Sequence, residues 1–408
     1  MGESSKAGSE GKEDGRFDRD TIERTIRQRV RDIIQQVVEA ELEAALGAKP
    51  SQRVGEERTG YRHGYRERTL TTSTGPTTFA MPRARLNDGE GGSREWQSQT
   101  VARYERRSRR VDEAIVGVYL GGANTRRIRG ALAPLLRGAP LSKDAVSRLV
   151  GRLKGDFEHW QQRDLQADQI RHLYMDGWYP KVRIDKKRVR VPVLVTLGTR
   201  ANGERVVIDL RIAGEESSAA WGEVIQALVK RRIGVPELAV IDGNAGLGQA
   251  LQEQWKQIKI QRCTNHKLRN LQAKAPARLR EELTEDYRRM IYAESAAEVA
   301  KQRERFQKKW KLKCAAVITS LEEAGDELFT FTQFPPSQWK ALRTTNAIER
   351  INEEFRRRTK TQASLPNEDA VVLLMFGLLC NGQIRLRRMV GWKDLPRTNR
   401  SVGMAEAA

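Results

Sequence analysis

The chain has 408 residues, too many for one ordinary hydrophobic core, so two or three domains are expected. Lys and Arg total 74 against 53 Asp and Glu, and the net charge of +21 indicates a polyanionic partner, with nucleic acid as the first candidate. A merely basic protein without such a partner is the alternative. Three widely spaced Cys argue against a disulfide framework and indicate a reducing compartment. The longest apolar run, 370–380, is too short to cross a bilayer.

The N-terminal region predicts a polar leader followed by one long helix. Residues 1–17 contain almost nothing to bury and are expected to be disordered. From Asp18 to Gly47 apolar residues recur at helical spacing. Such a stripe must be buried against the rest of the protein, a second subunit or DNA.

Residues 58–86 predict a small basic β-hairpin. Tyr, Thr and Arg alternate there, and Gly75-Pro76 is the expected turn. We expect Arg62 and Arg66 to contact the DNA backbone, with a solvated linker as the alternative. Residues 87–99 are rich in Gly and Ser and are typical of a loop.

Three helical patterns follow, over 111–120, 125–136 and 142–153. The last two resemble a helix-turn-helix, with Ser142 as the N-cap of the second helix. Many three-helix bundles never bind DNA, which is the alternative. The polar face of the candidate recognition helix carries Lys143, Ser147 and Arg148.

The next segment predicts a mixed sheet with flanking helices. Strand patterns cover 170–175, 190–199, 205–213, 238–241 and 258–261, and helical patterns cover 217–232 and 243–255. The order β-β-β-α-β-α-β is that of a ribonuclease-H-like fold. Two acids, Asp176 and Asp242, come where strands end. Either one alone is more typical of a turn, and Asp185 and Asp209 are weaker candidates in charged surroundings.

A third acid follows a helical insertion. Residues 264–334 are helical in pattern, and Pro335-Pro336 ends the block. Glu349 then lies beside the apolar face formed by Ile348, Ile351 and Phe355 on a predicted helix. Composition alone leaves Glu353 and Glu354 as competitors, and a solvated pair with a neighbouring Arg is the alternative for each.

Several motifs together resemble the bacterial insertion-sequence transposases of the Mutator-like family. They are GYRHGYR, LSKDAVSRLV, DGWYPKVR, VIDGNAGL, RCTNHKLRNL and TTNAIERINEEFRRRTK. The resemblance implies a ribonuclease-H-like catalytic domain, an Asp-Asp-Glu triad, a helical insertion before the Glu, and an N-terminal region that binds the terminal inverted repeats. The triad falls on Asp176, Asp242 and Glu349. One departure is the pair Gly177-Trp178, since the family commonly has a small or aliphatic residue after the first Asp.

The implied chemistry is phosphodiester hydrolysis followed by transesterification with two Mg²⁺ ions, for which Mn²⁺ can substitute. Two such ions stabilise charge on the attacking and leaving oxygens. Asp176 is expected to bridge the ions, while Asp242 and Glu349 each hold one. The resemblance also implies a copied circular intermediate. A catalytically silent DNA-binding regulator or domesticated transposase is the alternative, as is a general nuclease of the same fold.

Basic residues near Glu349 are expected to contact backbone phosphates, with a solvated basic helix end as the alternative. They are Arg343, Arg350, Arg356, Arg357 and Arg358. Cys263 and His266 match a Cys-x-x-His pair of the family. Zinc is disfavoured because no second ligand pair has suitable spacing, so we expect a structural or DNA-proximal role for both.

The domain prediction divides the chain at changes of pattern. It comprises a leader (1–17), a helix and hairpin for DNA binding and dimerisation (18–100), a helix-turn-helix-like module (101–165), the first part of the core (166–263), the insertion (264–336), the second part of the core (337–390) and a tail (391–408). The expected partners are double-stranded DNA, as inverted repeats and target, and a second copy of the chain through the long helix. A membrane or small-molecule partner is not expected, and the expected location is the cytoplasm, at the nucleoid.

Overall fold

A computed structural model describes residues 19–52, 59–87, 92–120, 123, 125–184, 187–214, 217–359, 367–380, 382 and 384–395. The predicted leader, Asp185 and most of the predicted tail lie outside these ranges. The chain divides into two compact units, an N-terminal unit (Met1–Tyr119 and Ala123–Leu149) and a C-terminal unit (Leu120–Gly122 and Val150–Ala408). Residues of the predicted 101–165 module fall in both. No helix in the described ranges is long and apolar enough to span a membrane.

The N-terminal unit combines helices with a three-stranded sheet of order β1-β2-β3. Its elements are α1 (Arg19–Leu46), β1 (Gly60–Thr72), β2 (Gly75–Asn87), β3 (Ser93–Glu95), α2 (Arg109–Leu120), α3 (Thr125–Ala131), α4 (Ala133–Leu136) and the start of α5 (Lys143–Gln162). The predicted long helix is confirmed as α1. Only its C-terminal half buries its apolar stripe, where Leu42 and Leu46 pack with Phe79 and Met81. The N-terminal half leaves side chains such as Ile22 exposed.

The predicted hairpin is present, but its turn was misplaced. Gly75 pairs with Thr72 and Pro76 pairs with Thr71, so the turn is formed by residues 73 and 74. Gly75 is the first residue of β2 and has φ +109°, a conformation that side-chain-bearing residues rarely adopt. Gly and Pro therefore mark the exit of the turn rather than its centre.

The helical patterns after the sheet are confirmed with changed boundaries. The predicted helix 125–136 is two helices, because Pro134 has no amide hydrogen to continue α3 and lies instead in the first turn of α4, which begins at Ala133. The predicted helix 142–153 continues to Gln162 as α5. Ser142 caps it, since its Oγ accepts the Ala145 amide at 3.1 Å. The helix-turn-helix assignment itself stays a prediction.

The C-terminal unit is built on a five-stranded mixed sheet of order β10-β9-β4-β7-β8. Its strands are β4 (Ile170–Trp178), β7 (Val193–Arg200), β8 (Arg205–Ile212), β9 (Leu238–Ile241) and β10 (Lys259–Arg262). β9 is parallel to both β4 and β10, and β7 is antiparallel to both β4 and β8. The predicted strand 190–199 begins only at Val193, after Pro192. Arg190 instead ends β6 (Lys187–Arg190), which pairs with β5 (Lys181–Ile184) in a separate ribbon.

Helical elements complete the C-terminal unit. They are α6 (Ser218–Lys230), α7 (Ala245–Gln254), α8 (Thr264–Lys274), α9 (Arg280–Ile291), α10 (Ala296–Lys313), α11 (Ala315–Glu323), α12 (Trp339–Leu342), α13 (Asn346–Thr359) and α14 (Asp369–Cys380), with 3₁₀ turns at Gln166–Asp168, Ala277–Leu279, Gly325–Gln333, Pro336–Gln338 and Trp392–Asp394. Leu173 and Met175 of β4 belong to the core that contains Trp221 of α6. The predicted helical block after β10 is confirmed.

The opposite face of β4 contacts α13 and the segment before it. Side chains alternate along a strand, so His172, Asp176 and Trp178 share this face. The His172 ring meets Phe334 at 5.8 Å between centroids, and the Trp178 ring meets Phe355 of α13 at 4.8 Å. Asp176 therefore lies on the side of the sheet that carries the Glu349 helix.

Replacing Leu42 by Ala should destabilise the N-terminal unit by about 2–5 kcal/mol, because a fully buried side chain leaves a cavity. Hydrogen exchange of β1 and β2, followed by mass spectrometry, should accelerate. Ile22→Ala is the matched control, since that side chain is 59% exposed, and should leave the exchange unchanged. Equal effects of the two changes would contradict the packing of α1 on the sheet.

Candidate active site

The first two acids are neighbours at one edge of the sheet. β4 and β9 are adjacent and parallel, and Met175 pairs with Ile241. The following residues therefore lie side by side, Asp242 just after β9 and Asp176 still within β4, which continues to Trp178 rather than ending at Met175 as predicted. Asp176 is 5% exposed, and Asp242 is partly exposed.

A tight turn fixes the backbone after Asp242. Its Oδ1 accepts the amide of Asn244 at 2.9 Å. The side chain of Asn244 in turn caps α7 by accepting the Leu247 amide at 3.1 Å. The Asp242 carboxylate is thus held close to the backbone of the turn that connects β9 to α7.

The third acid, Glu349, lies in the first turn of α13. The predicted apolar face beside it is confirmed, since Ile348, Ile351 and Phe355 are buried. Glu349 forms an ion pair with Arg269 of α8 at 2.9 Å, and its side chain is 29% exposed. Of the competing acids, Glu354 pairs with Arg357 at 2.7 Å.

The start of α13 is bound to the residues that follow β10. The amide and the hydroxyl of Thr264 both donate to the carbonyl of Arg343, at 2.9 and 3.0 Å. Asn265 donates to the side chain of Asn346 at 2.7 Å. Because β10 ends at the same edge as β9, these contacts carry the Glu349 helix to the edge occupied by the two Asp.

Cys263 and His266 lie at the same junction. Cys263 is buried, and its Sγ accepts the amide and the hydroxyl of Thr345 at 3.4 and 3.5 Å. Hydrogen bonding to Cys263 raises the pKa of His266 from 6.5 to about 9; burial opposes the rise, and the charges of Asp176 and Asp242 add to it. Burial raises the pKa of Cys263, but hydrogen bonds from His266 and Thr345 outweigh it, so that pKa is lowered.

The donor set suits a hard cation only in part. Carboxylate oxygens are the ligands that Mg²⁺ prefers, and Asp176 and Asp242 supply them side by side. Within the described ranges, no three His, Cys, Asp or Glu side chains are grouped so that they could hold a metal ion. Glu349 would have to leave Arg269 and change its side-chain torsions to join the two Asp.

The predicted phosphate contacts near Glu349 differ in their surroundings. Arg343 is engaged within the fold, since it donates to the carbonyl of Ile291 at 3.2 Å and stacks on Tyr292. Arg350 lines a cleft of about 360 Å³ that also contains Glu349, Lys340 and Arg387. Arg357 is paired with Glu354, Arg356 is exposed, and the side chain of Arg358 lies outside the described residues.

The residues of the N-terminal unit that are predicted to contact DNA also differ in their surroundings. Arg62 pairs with Glu39 of α1 at 2.6 Å and is 17% exposed, so it joins the hairpin to the helix. Arg66 is exposed on β1. Lys143, Ser147 and Arg148 are all exposed on α5. These residues belong to the N-terminal unit, whereas the three acids belong to the C-terminal unit.

Sequence reasoning missed three cations near the site: Arg269 pairs with Glu349, Arg262 contacts the Gly243 carbonyl, and Lys267 pairs with Glu323. Their only local signal was the density of polar residues directly after a buried strand. Asp209, the weaker competitor for the first acid, is fully buried between Arg211 and Arg231, at 2.8 and 3.3 Å. These ion pairs and its burial indicate a structural role for Asp209.

Comparison with known proteins identifies the family. The chain is 29% identical over 355 residues to the transposase of insertion sequence element ISRM5 from Rhizobium meliloti, covering 86% of this chain and 87% of that protein. It is 29% identical to the IS1081 transposase of Mycobacterium tuberculosis (86% and 84% covered) and 28% identical to the IS256 transposase of Staphylococcus aureus (79% and 81%). A Drosophila P element transposase strand transfer complex matches with a TM-score of 0.28 and 11% identity over 70% of this chain and 82% of that one, too low to support any inference. The family description "Transposase, Mutator family" matches residues 6–384, and the chain therefore belongs to the Mutator family of transposases.

Proposed function

We propose that this transposase binds the terminal inverted repeats of its insertion sequence and catalyses metal-dependent DNA cleavage and strand transfer on a ribonuclease-H-like core. The sheet order supports the fold assignment. Numbered along the chain, the five strands lie in the order 5-4-1-2-3, and the second is antiparallel to its neighbours. The first acid is on the first strand and the second follows the fourth.

The observation that carries the proposal is the meeting of three acid-bearing elements at one edge of the sheet. The register of β4 with β9 places Asp176 beside Asp242, and the Thr264 and Asn265 contacts bring the Glu349 helix there. In this assignment the three carboxylates would hold two Mg²⁺ ions, which Mn²⁺ could replace. Bound Mg²⁺ supplies charge stabilisation to the attacking and leaving oxygens of a phosphodiester.

Nearby cations are suited to hold the DNA strand. His266 is positively charged below a pH of about 9, and its buried Nδ1 has no hydrogen-bond partner among the described residues. Its positive charge can attract a phosphate placed over the two Asp. Arg350 and Lys340 line the cleft beside Glu349 and can contact DNA phosphates on either side of the one that is cut.

The exposed surface of the N-terminal unit fits the repeat-binding role. Arg66, Lys143, Ser147 and Arg148 are exposed, whereas Arg62 is engaged by Glu39. The exposed apolar residues of α1, including Ile22, Ile26 and Ile33, suit contact with a second copy. A homodimer would bring the two ends of the element together.

The triad predicts a specific loss of chemistry. Asp176→Asn, Asp242→Asn and Glu349→Gln should each reduce Mg²⁺-dependent nicking of a duplex that carries the inverted repeat by at least about 100-fold, because a metal-binding carboxylate is removed. Gel-shift affinity for the same duplex should be retained. Glu353→Gln is the matched control on α13. A parent protein that binds the repeat but never cuts it would instead support a silent DNA-binding regulator.

The two hairpin arginines should behave differently. Arg66→Ala should weaken DNA binding and lower the slope of log affinity against log salt by about one unit, as expected for one lost phosphate contact. Arg62→Ala should mainly lower the thermal stability of the N-terminal unit, because Glu39 loses its partner. Gel shifts at several salt concentrations and thermal unfolding test both. The assignment would be contradicted if Arg62→Ala weakened DNA binding and Arg66→Ala lowered the thermal stability instead.

His266 should titrate near pH 9 in protein freed of metal with EDTA. Its folded-state pKa is above the 6.5 of the unfolded chain, so its stabilising effect is complete below pH 6.5 and is lost as pH rises through about 9. NMR titration of the imidazole measures this pKa. Cys263→Ala should lower it, because the largest cause of the rise is removed, whereas Cys314→Ala should not. A value near 6.5 in the parent protein would contradict the pairing.

A further inference from the structure

We propose that Arg262 is a positioning residue for Asp242, and that Glu323 of the helical insertion holds Arg262 in place. The inference rests on the proposed function only in that Asp242 is taken as a catalytic acid. It assigns the insertion a role in shaping the site, in addition to separating β10 from the Glu349 helix.

The guanidinium of Arg262 bridges the Asp242 turn and α11. Its Nη2 donates to the carbonyl of Gly243 at 3.1 Å and to Oε1 of Glu323 at 2.9 Å. Its Nη1 donates to the backbone carbonyl of Glu323 at 3.0 Å. The side chain is 9% exposed, so little water can replace these partners. A planar fork can satisfy acceptors on two sides at once, which the ammonium of Lys cannot do in the same geometry.

The turn is shaped to receive this side chain. Gly243 has φ +105°, and a Cβ at this position would lie 2.7 Å from Nη2 and 2.8 Å from Nε of Arg262. The guanidinium therefore packs directly on Gly243, the residue that follows Asp242. The Asp242 side chain is bonded to the same turn through the Asn244 amide. Movement of Gly243 would therefore move the Asp242 carboxylate.

Glu323 is the shared anchor of two buried cations. Lys267, only 2% exposed, donates to Oε2 of Glu323 at 2.6 Å and to the carbonyl of Ser320 at 2.8 Å. A buried cation is costly unless it is paired, so both cations depend on this carboxylate. The pKa of Glu323 is lowered, chiefly by the hydrogen bond from Lys267. Glu323 itself is 58% exposed, so its charge can be removed without opening a cavity.

The dependence runs from α11 through Arg262 to the Asp242 turn. Loss of the Glu323 charge should let Arg262 leave Gly243 and loosen that turn. The acid would then be held less firmly for metal binding, while the DNA-binding surface of the N-terminal unit is untouched. Substitutions that disturb residues supporting a metal ligand typically cost about 10–100-fold in metal affinity or activity.

The test compares Glu323→Gln with Glu322→Gln in the full-length protein. Glu322 is the adjacent, exposed acid on α11 and is outside the site. We expect Glu323→Gln to raise the Mg²⁺ concentration for half-maximal nicking of the repeat duplex by about tenfold, with unchanged gel-shift affinity. Glu322→Gln should match the parent protein. Arg262→Lys, which keeps the charge but loses the fork, should act like Glu323→Gln.

A second measurement does not depend on activity. Hydrogen exchange of a peptide covering 242–247 should accelerate in Glu323→Gln and in Arg262→Lys, while β7 and β8 keep parental exchange. If neither variant changes the turn, the positioning role is wrong even if the protein cuts DNA. If the turn loosens but the parent protein never cuts DNA, the positioning role stands and the proposed function fails. Parental Mg²⁺ dependence with a loosened turn would also overturn the role assigned to Arg262.

Discussion

The parallel register of β4 with β9 is the constraint on which the candidate site depends. Met175 faces the core covered by α6 and α7, so the next residue, Asp176, must face the opposite side. A slip of one residue would turn Asp176 into that apolar core and His172 with it. The burial of Leu173 and Met175 therefore determines where the acid points. The same pairing brings Ile241, and hence Asp242, to its side.

The residues that follow β10 attach α13, which is distant in the sequence, to this edge of the sheet. Cys263, Thr264 and Asn265 occupy the last position before α8 and its first turn, and each contacts the segment 343–346. The Trp178–Phe355 contact holds the middle of α13 on the sheet. The position of α13 is thus set by backbone and core contacts, and the Glu349 carboxylate contributes little to it.

Local pattern predicted the core well because its strands are short, apolar and separated by clear breaks. It could not identify partners that are distant in the sequence. Nothing near Arg62 in the sequence indicates Glu39, and nothing near Arg343 indicates Tyr292, although each arginine contacts that partner in the structure. Their DNA contacts stay predictions. The predicted position of the turn at Gly75-Pro76 was wrong for a local reason, because a Gly with positive φ can also begin a strand.

Charge balance explains why the site needs cations of its own. Carboxylates brought together without positive charge repel one another and take up protons. His266, charged through its interaction with Cys263, lies close enough to Asp176 and Asp242 for their charges to raise its pKa. Arg269 neutralises Glu349 from the other side. In the proposed function, Glu349 would have to exchange Arg269 for a metal, and the contacts that hold α13 do not include that ion pair.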